Sequence, residues 1–287
     1  VADDSSYDSL GVFATFSHDL TDRFSYDLGA RFSYAAADWN GYRPTGALVD
    51  QAGDADWTNL SLSIRGNYEF NDNWSTYGGL SQAFRAPNLD DLTGSQFSLN
   101  GLDSNGSPNV DPENYLTAEL GGRFANNHLS YQIASYYTFI DDAITRVDDG
   151  TGGLATVNGS DGYLFGFEAE AAWQLHQDWE LSGSLAWQDG KNEQAATLGG
   201  PIIEDTIRRL HPLTASARLK WTHSSEKYWI AGQLLAASNQ DNLSSLAASD
   251  TQRIPANGTP SYLIASLYSG WEVSENAVYL QAFALLF

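Results

Sequence analysis

The 287-residue chain contains no cysteine, so neither a disulfide framework nor a thiolate metal site is available to it. No stretch approaches the ~18 consecutive apolar residues that a membrane-spanning helix requires. Mean hydropathy is −0.34, in keeping with that lack. Basic residues are scarce, with 14 Lys and Arg against 36 Asp and Glu and a formal net charge of −22. A nucleic-acid-binding face needs clustered cations, so this balance argues against nucleic acid as a partner. The acidity suits wet loops, or the attraction of cations and basic ligands to an opening. Histidine is sparse and scattered: His18, His128, His176, His211 and His223 sit apart, mostly near turns. No spacing joins a nucleophile, a base and an orienting acid, so nothing reads as catalytic. Strands remain untested by the missing hydrophobic run, because a membrane-crossing strand needs apolar side chains only at alternate positions.

What the chain does have is alternation of period two. In the segment 23–34 every even position is apolar (Phe24, Tyr26, Leu28, Ala30, Phe32, Tyr34) and every odd one is polar or glycine. Successive strand side chains point to opposite faces, so the segment has one greasy and one wet face. The pattern recurs in twelve segments, about 7–20, 23–36, 57–70, 74–85, 115–125, 129–146, 162–175, 179–189, 213–222, 228–237, 261–272 and 277–287. In a soluble sandwich the greasy faces would point inward. In an antiparallel transmembrane β-barrel they would point outward to lipid, with the wet faces lining a lumen.

The connections favour the barrel. Short turns at 21–23, 71–73, 126–128, 176–178, 224–227 and 274–276 alternate with long polar loops at 37–56, 86–114, 147–161, 190–212 and 238–260. Segregated loop lengths are what two unlike sides of a membrane produce. Trp74 and Trp179 follow short turns directly, and Trp39, Trp57, Trp187, Trp221 and Trp229 lie near strand ends, as lipid–water boundary aromatics do. Because the first connection is short, the first strand is expected to run downward from the long-loop side and the last to return there. Both termini then lie on the long-loop side. The chain is therefore expected to be an internal portion of a larger barrel, or one chain of a split one.

Several motifs resemble, in order, those of TonB-dependent outer-membrane receptors. Phe84-Arg85-Ala86-Pro87-Asn88-Leu89 with Leu92 is similar to the family's "FRaPnl" stretch, and Ser107–Glu113 to its "NP-L-PE" element. Glu119, Gly121 and Arg123 follow the "E-G-R" pattern, and Tyr136–Ile144, Gly166–Glu170 and Arg253–Tyr262 carry further matches. The resemblance implies a 22-stranded barrel plugged by an N-terminal domain. Residues 1–287 would be its C-terminal half, without plug, early strands or final strand. It also implies partners: the TonB–ExbB–ExbD system, reached through a plug and TonB box, outer-membrane lipid and lipopolysaccharide, and a small-molecule ligand. That ligand would be a ferric siderophore, a cobalamin or an oligosaccharide. No resident cofactor is implied. A passive porin-like channel and an adhesive or structural envelope subunit are the rival functions.

Arg31, Arg65, Arg85, Glu119, Arg123, Glu168 and Glu170 fall on lumen faces, to solvate the wall or to touch a plug or ligand. Substrate contact more often comes from long loops, and 86–114 and 238–260 are the candidates. The ligand-binding candidates are Arg85, Asn88, Asp91 and Arg253. The loop Val147–Gly153 fits either a calcium site built of oxygens or a flexible turn.

Overall fold

The computed structural model describes residues 4–42, 51–97, 103–159, 161–249, 254–255, 257–272 and 279–286. The strands are β1 Ser6–Thr21, β2 Phe24–Tyr42, β3 Gln51–Asn71, β4 Trp74–Arg85, β5 Ser95–Phe97, β6 Asp103–Asn105, β7 Glu113–Ala125, β8 Leu129–Asp141, β9 Ile144–Asp148, β10 Leu154–Asn158, β11 Gly162–His176, β12 Trp179–Ala195, β13 Ile202–Thr206, β14 Thr214–Thr222, β15 Tyr228–Ala237, β16 Tyr262–Glu272 and β17 Tyr279–Leu286. Two one-turn helices, α1 Leu89–Thr93 and α2 Ser245–Ser249, lie in the loops.

Twelve strands follow one another in a single antiparallel wall, β1-β2-β3-β4-β7-β8-β11-β12-β14-β15-β16-β17, with β13 added to β12. Next-neighbour pairing throughout is what the run of hairpins demands. Side chains hold the tight turns. Thr21 Oγ1 accepts from the N–H groups of Arg23 and Phe24. Asn71 Oδ1 does the same for Asn73 and Trp74, and Asn126 Oδ1 for His128 and Leu129. Each short polar side chain supplies the acceptor that a two-residue reversal would otherwise lack.

The two faces of the wall differ as the alternation predicts. Ile64, Leu80, Leu120 and Leu219 share one face and are all exposed, Leu120 to 63%. Among the described residues the largest fully buried side chains are instead Pro87, Leu92 and Thr93, all in the β4–β7 loop. A soluble sandwich would bury the leucine face; here it is the outer surface, and it suits a hydrocarbon solvent. Near the turns the same face carries clustered rings: Trp74 packs 5.0 Å from Phe124 and 5.5 Å from Tyr131. Trp221 packs with His223 and Tyr228.

Three tryptophans expected at the lipid boundary face the other way. Trp39 and Trp57 belong to the register of Ala35 and Ala37 on the inner face of β2 and β3, and Trp39 is 4% exposed. They pack with Leu89, Leu92, Val110 and Ile144, which the β4–β7 and β8–β9 connections fold inward. Gly53 sits opposite Trp39, and a Cβ there would come within 2.7 Å of the indole. Trp229 likewise lies in the inner register, opposite Thr222 and Gly270. At Trp39 and Trp57 a loop returns into the mouth with its own apolar surface, and the inner face turns aromatic. Trp229, at the short-turn end, stands instead beside Arg218 and Lys220.

The segment 129–146 also divides. Asp142 adopts φ +56°, which ends β8, and β9 then departs into a small second sheet of order β5-β6-β10-β9.

Candidate functional site

The mouth is built where β4 and β7 end side by side, since Arg85 pairs with Glu113 in their register. The Arg85 guanidinium grips two carboxylates. Its Nε donates to Glu113, and its Nη1 lies 2.7 Å from Asp91 Oδ2. Glu113 is nearly buried and fully used. It also accepts from the Tyr115 hydroxyl, and from the Ile144 N–H at 2.7 Å. A buried carboxylate costs heavily unless paired and hydrogen-bonded, and Glu113 has all of these partners.

Asn88 and Asp91 form a capping box around α1. Asn88 Oδ1 accepts from the N–H groups of Asp90 and Asp91 at 2.8 and 3.0 Å, and Asp91 Oδ2 accepts from the Asn88 N–H at 3.0 Å. Arg146 of β9 reaches Asp90 at 2.8 Å. The predicted residues Arg85, Asn88 and Asp91 are thus brought together, and Arg253 lies outside the described residues.

A second polar group shares this space. Thr145 donates to Gln194 Oε1 at 2.9 Å, and Gln194 Nε2 donates to Asp205 Oδ2 at 2.8 Å. Asp205 Oδ1 accepts from the Ser245 N–H at the start of α2, at 2.9 Å. Asn192, Gln194 and Asp205 are buried. Together with Glu113, Tyr115 and Arg146 they line a cavity of about 280 Å³. Four long loops therefore meet in one hydrogen-bonded assembly. No alternation marks these polar residues, which lie within the expected loop 190–212, so the sequence reading missed them. A run of amide and carboxylate side chains such as Asn192–Gln194 facing Asp205 is the only signal they carry.

The loop 147–153 uses its acids on itself. Asp148 Oδ1 accepts from Gly150 N–H, while Asp149 Oδ1 accepts from Thr151 N–H, Thr151 Oγ1 and Gly153 N–H. The bonds from Thr151 and Gly153 hold the Asp149 carboxyl below its usual range. Burial, and then the nearby Asp141, Asp111 and Asp161, push Asp142 upward. No group of metal-binding side chains occurs among the described residues.

Below the mouth the inner wall is polar and aromatic. Arg65 and Arg123 stack on the Tyr77 ring at 4.0 and 4.7 Å. Gly121, opposite Tyr77 in the register, leaves room for that ring. Arg218 lies 5.5 Å from Trp229 and 5.7 Å from Tyr268. Arg123, Gln132, Glu170, Ser184, Ser216 and Arg218 face a groove of about 590 Å³. The lumen-face assignments of Arg31, Arg65, Glu119, Arg123, Glu168 and Glu170 agree with the register. The arrangement can bind and orient a polar guest.

The chain matches a family model described as TonB dependent receptor-like, beta-barrel, over residues 1–284. It is 23% identical over 161 residues to the iron-regulated outer membrane virulence protein of Vibrio cholerae serotype O1, covering 51% of this chain and 25% of that protein. The solved copper transporter OprC superposes with a TM-score of 0.77 at 19% identity, covering 98% of this chain and 42% of that one. The FrpB iron transporter from Neisseria meningitidis gives 0.72 at 12% identity, over 97% of this chain and 40% of that one. The chain thus spans no more than about two-fifths of these relatives' length.

Proposed function

The chain belongs to the TonB-dependent receptor family of the bacterial outer membrane, and from that premise we propose that it forms part of the wall and mouth of an active transporter. The observation that carries this reading is the pairing of a polar inner wall with a mouth whose long loops are tied together. Within the described residues β1 pairs only with β2 and β17 only with β16. Bare edges are not tolerated in a bilayer, so further strands would close the wall. Residues 1–287 are then a section of a 22-stranded barrel around a plug that the TonB–ExbB–ExbD system moves. The stacked arginines of the inner wall would meet that plug.

The cargo is a scarce metal complex, with a ferric siderophore first. Relatives named for iron and copper support a metal over cobalamin or an oligosaccharide. Arg85, 39% exposed at its side chain, is placed to meet an anionic chelate at the mouth. Asn88 and Asp91 hold α1 in position behind it. The test is uptake of ⁵⁵Fe, supplied as siderophore-containing conditioned medium, by cells with and without the gene. Uptake that needs the gene and stops when the proton-motive force collapses supports the proposal. Gene-dependent uptake that survives the collapse identifies a passive channel, and ⁶⁴Cu uptake alone reassigns the cargo.

A further inference from the structure

One seam of the wall is open. β3 and β4 pair from Asn71 and Trp74 up to Ser63 and Ser81, and there the pairing stops. β4 turns away to its mouth end, pairing with β7 as far as Arg85. β3 continues from Leu62 back to Gln51, still pairing with β2 on its other side. Its seam-facing edge meets no other strand among the described residues. The backbone direction is fixed by Leu62, whose N–H points into the seam and is met by the Gln82 side chain at 3.1 Å. The two-residue period of the ladder then turns the N–H and C=O groups of Leu60, Thr58, Asp56 and Asp54 the same way.

Charge at this edge has one sign. Asp38 lies directly opposite Asp54, and Asp56 opposite Ala36, with all three carboxylates exposed on the outer face. Like charges opposite one another destabilise a strand pair. No Lys or Arg occurs between Gln51 and Ile64 to offset them.

We propose that the β3 edge at Asp54–Leu60 is a docking strand for an extended polypeptide segment carrying Lys or Arg at alternate positions. The incoming strand pairs with the free backbone groups, and its cations stand over Asp54 and Asp56. Unpaired strand edges invite this form of association, and proteins usually cover or block them. A lipopolysaccharide surface is anionic and cannot pair with a strand ladder. A second copy would bring its own acidic edge against this one. The proposal is independent of the cargo.

The probe is a fluorescein-labelled seven-residue peptide of alternating lysine and threonine, titrated by anisotropy against the full-length detergent-solubilised protein. Two further versions carry backbone N-methyl groups, one on the odd residues and one on the even. Saturable binding is expected, with one N-methylated version about tenfold weaker and the other unaffected, because only one edge of the peptide pairs. The variant D54N/D56N is expected to bind several-fold more weakly, while keeping the wild-type heat-modifiable mobility. Equal binding of both N-methylated versions shows charge attraction alone and overturns the proposal, as does absence of saturable binding. Spontaneous disulfide dimerisation of Thr58→Cys that excludes the peptide assigns the edge to a second copy instead.

Discussion

The seam between β12 and β14 and the seam between β3 and β4 begin alike and end differently. In each, two strands pair through the membrane half and then part, at Ala186 and Thr214 in one and at Ser63 and Ser81 in the other. Above the first, β13 folds back onto Lys191–Ala195, and Asp205 ties the added strand to Gln194 and to α2. Above the second, β3 runs on, and the Gln82 side chain meets the Leu62 N–H across the gap. The membrane half of a wall is fixed by lipid on one face and water on the other. The half beyond it is fixed by whichever loop residues close the ladder, and among the described residues only the first seam has them.

Proline substitution breaks the comparison most sharply. Gln194 directs its N–H to β13, since that of its neighbour Glu193 bonds to Asp161 on the other side. Ile203, opposite Gln194, therefore sits in a hydrogen-bonded pair. Ile203→Pro is expected to cost roughly 3 kcal/mol, and Thr58→Pro under about 1, because an unpaired edge position has no ladder bond to lose. Urea midpoints of the folded, heat-modifiable band distinguish them; equal losses would mean that the β3 edge is paired.

Arg85→Ala comes next. It leaves Glu113 buried without its cation and takes the guanidinium from Asp91, which keeps the Asn88 N–H. The expected cost is about 2 kcal/mol, below the range for a fully buried pair because the guanidinium is partly solvated. Limited proteolysis should then cut within 86–112, and Arg85→Lys should recover only part of the loss, since one ammonium cannot serve both carboxylates in fork geometry. Asp205→Asn should loosen 196–213 and 238–249 by about 1–2 kcal/mol, read as faster amide exchange there with β3 unchanged. The smallest effect is acid-induced. Asp149 is held below its unfolded value, so its stabilisation of the 147–153 turn is present above the usual carboxylate range and is lost as pH falls through the lowered value. Amide protection of Thr151 and Gly153 should fall on acidification, and in Asp149→Asn it should not respond to pH in that range.

Most of the twelve wall strands were legible within a few residues because the solvent changes across each one and imposes the period on its side chains. The pattern fails where that solvent contrast fails. β2 and β3 extend past the expected 36 and 57 through Ala35–Asp38 and Gly53–Asp56, where small and acidic residues erase the alternation, and β12 runs on past the expected 189 to Ala195. β5, β6, β10 and β13 are too short for a period to register. Arg85, Asn88 and Asp91 were legible as a group only through the family-like stretch around Pro87. What they do, a guanidinium shared between Asp91 and Glu113 and a capping box, needed the register of β4 against β7. Asn192, Gln194 and Asp205 had no such motif, and their union is a product of tertiary packing.

The leucine face meets lipid while the arginine and glutamate face meets the lumen. The chain's lack of cysteine permits a clean test, a single-cysteine nitroxide scan of Leu116–Arg123 with the protein in bilayers. Collision with oxygen relative to a water-soluble nickel chelate should alternate with period two, high at Leu116, Ala118 and Leu120 and low at Thr117, Glu119 and Arg123. A flat profile, or Leu120 shielded from both reagents as in a packed soluble core, would overturn this orientation.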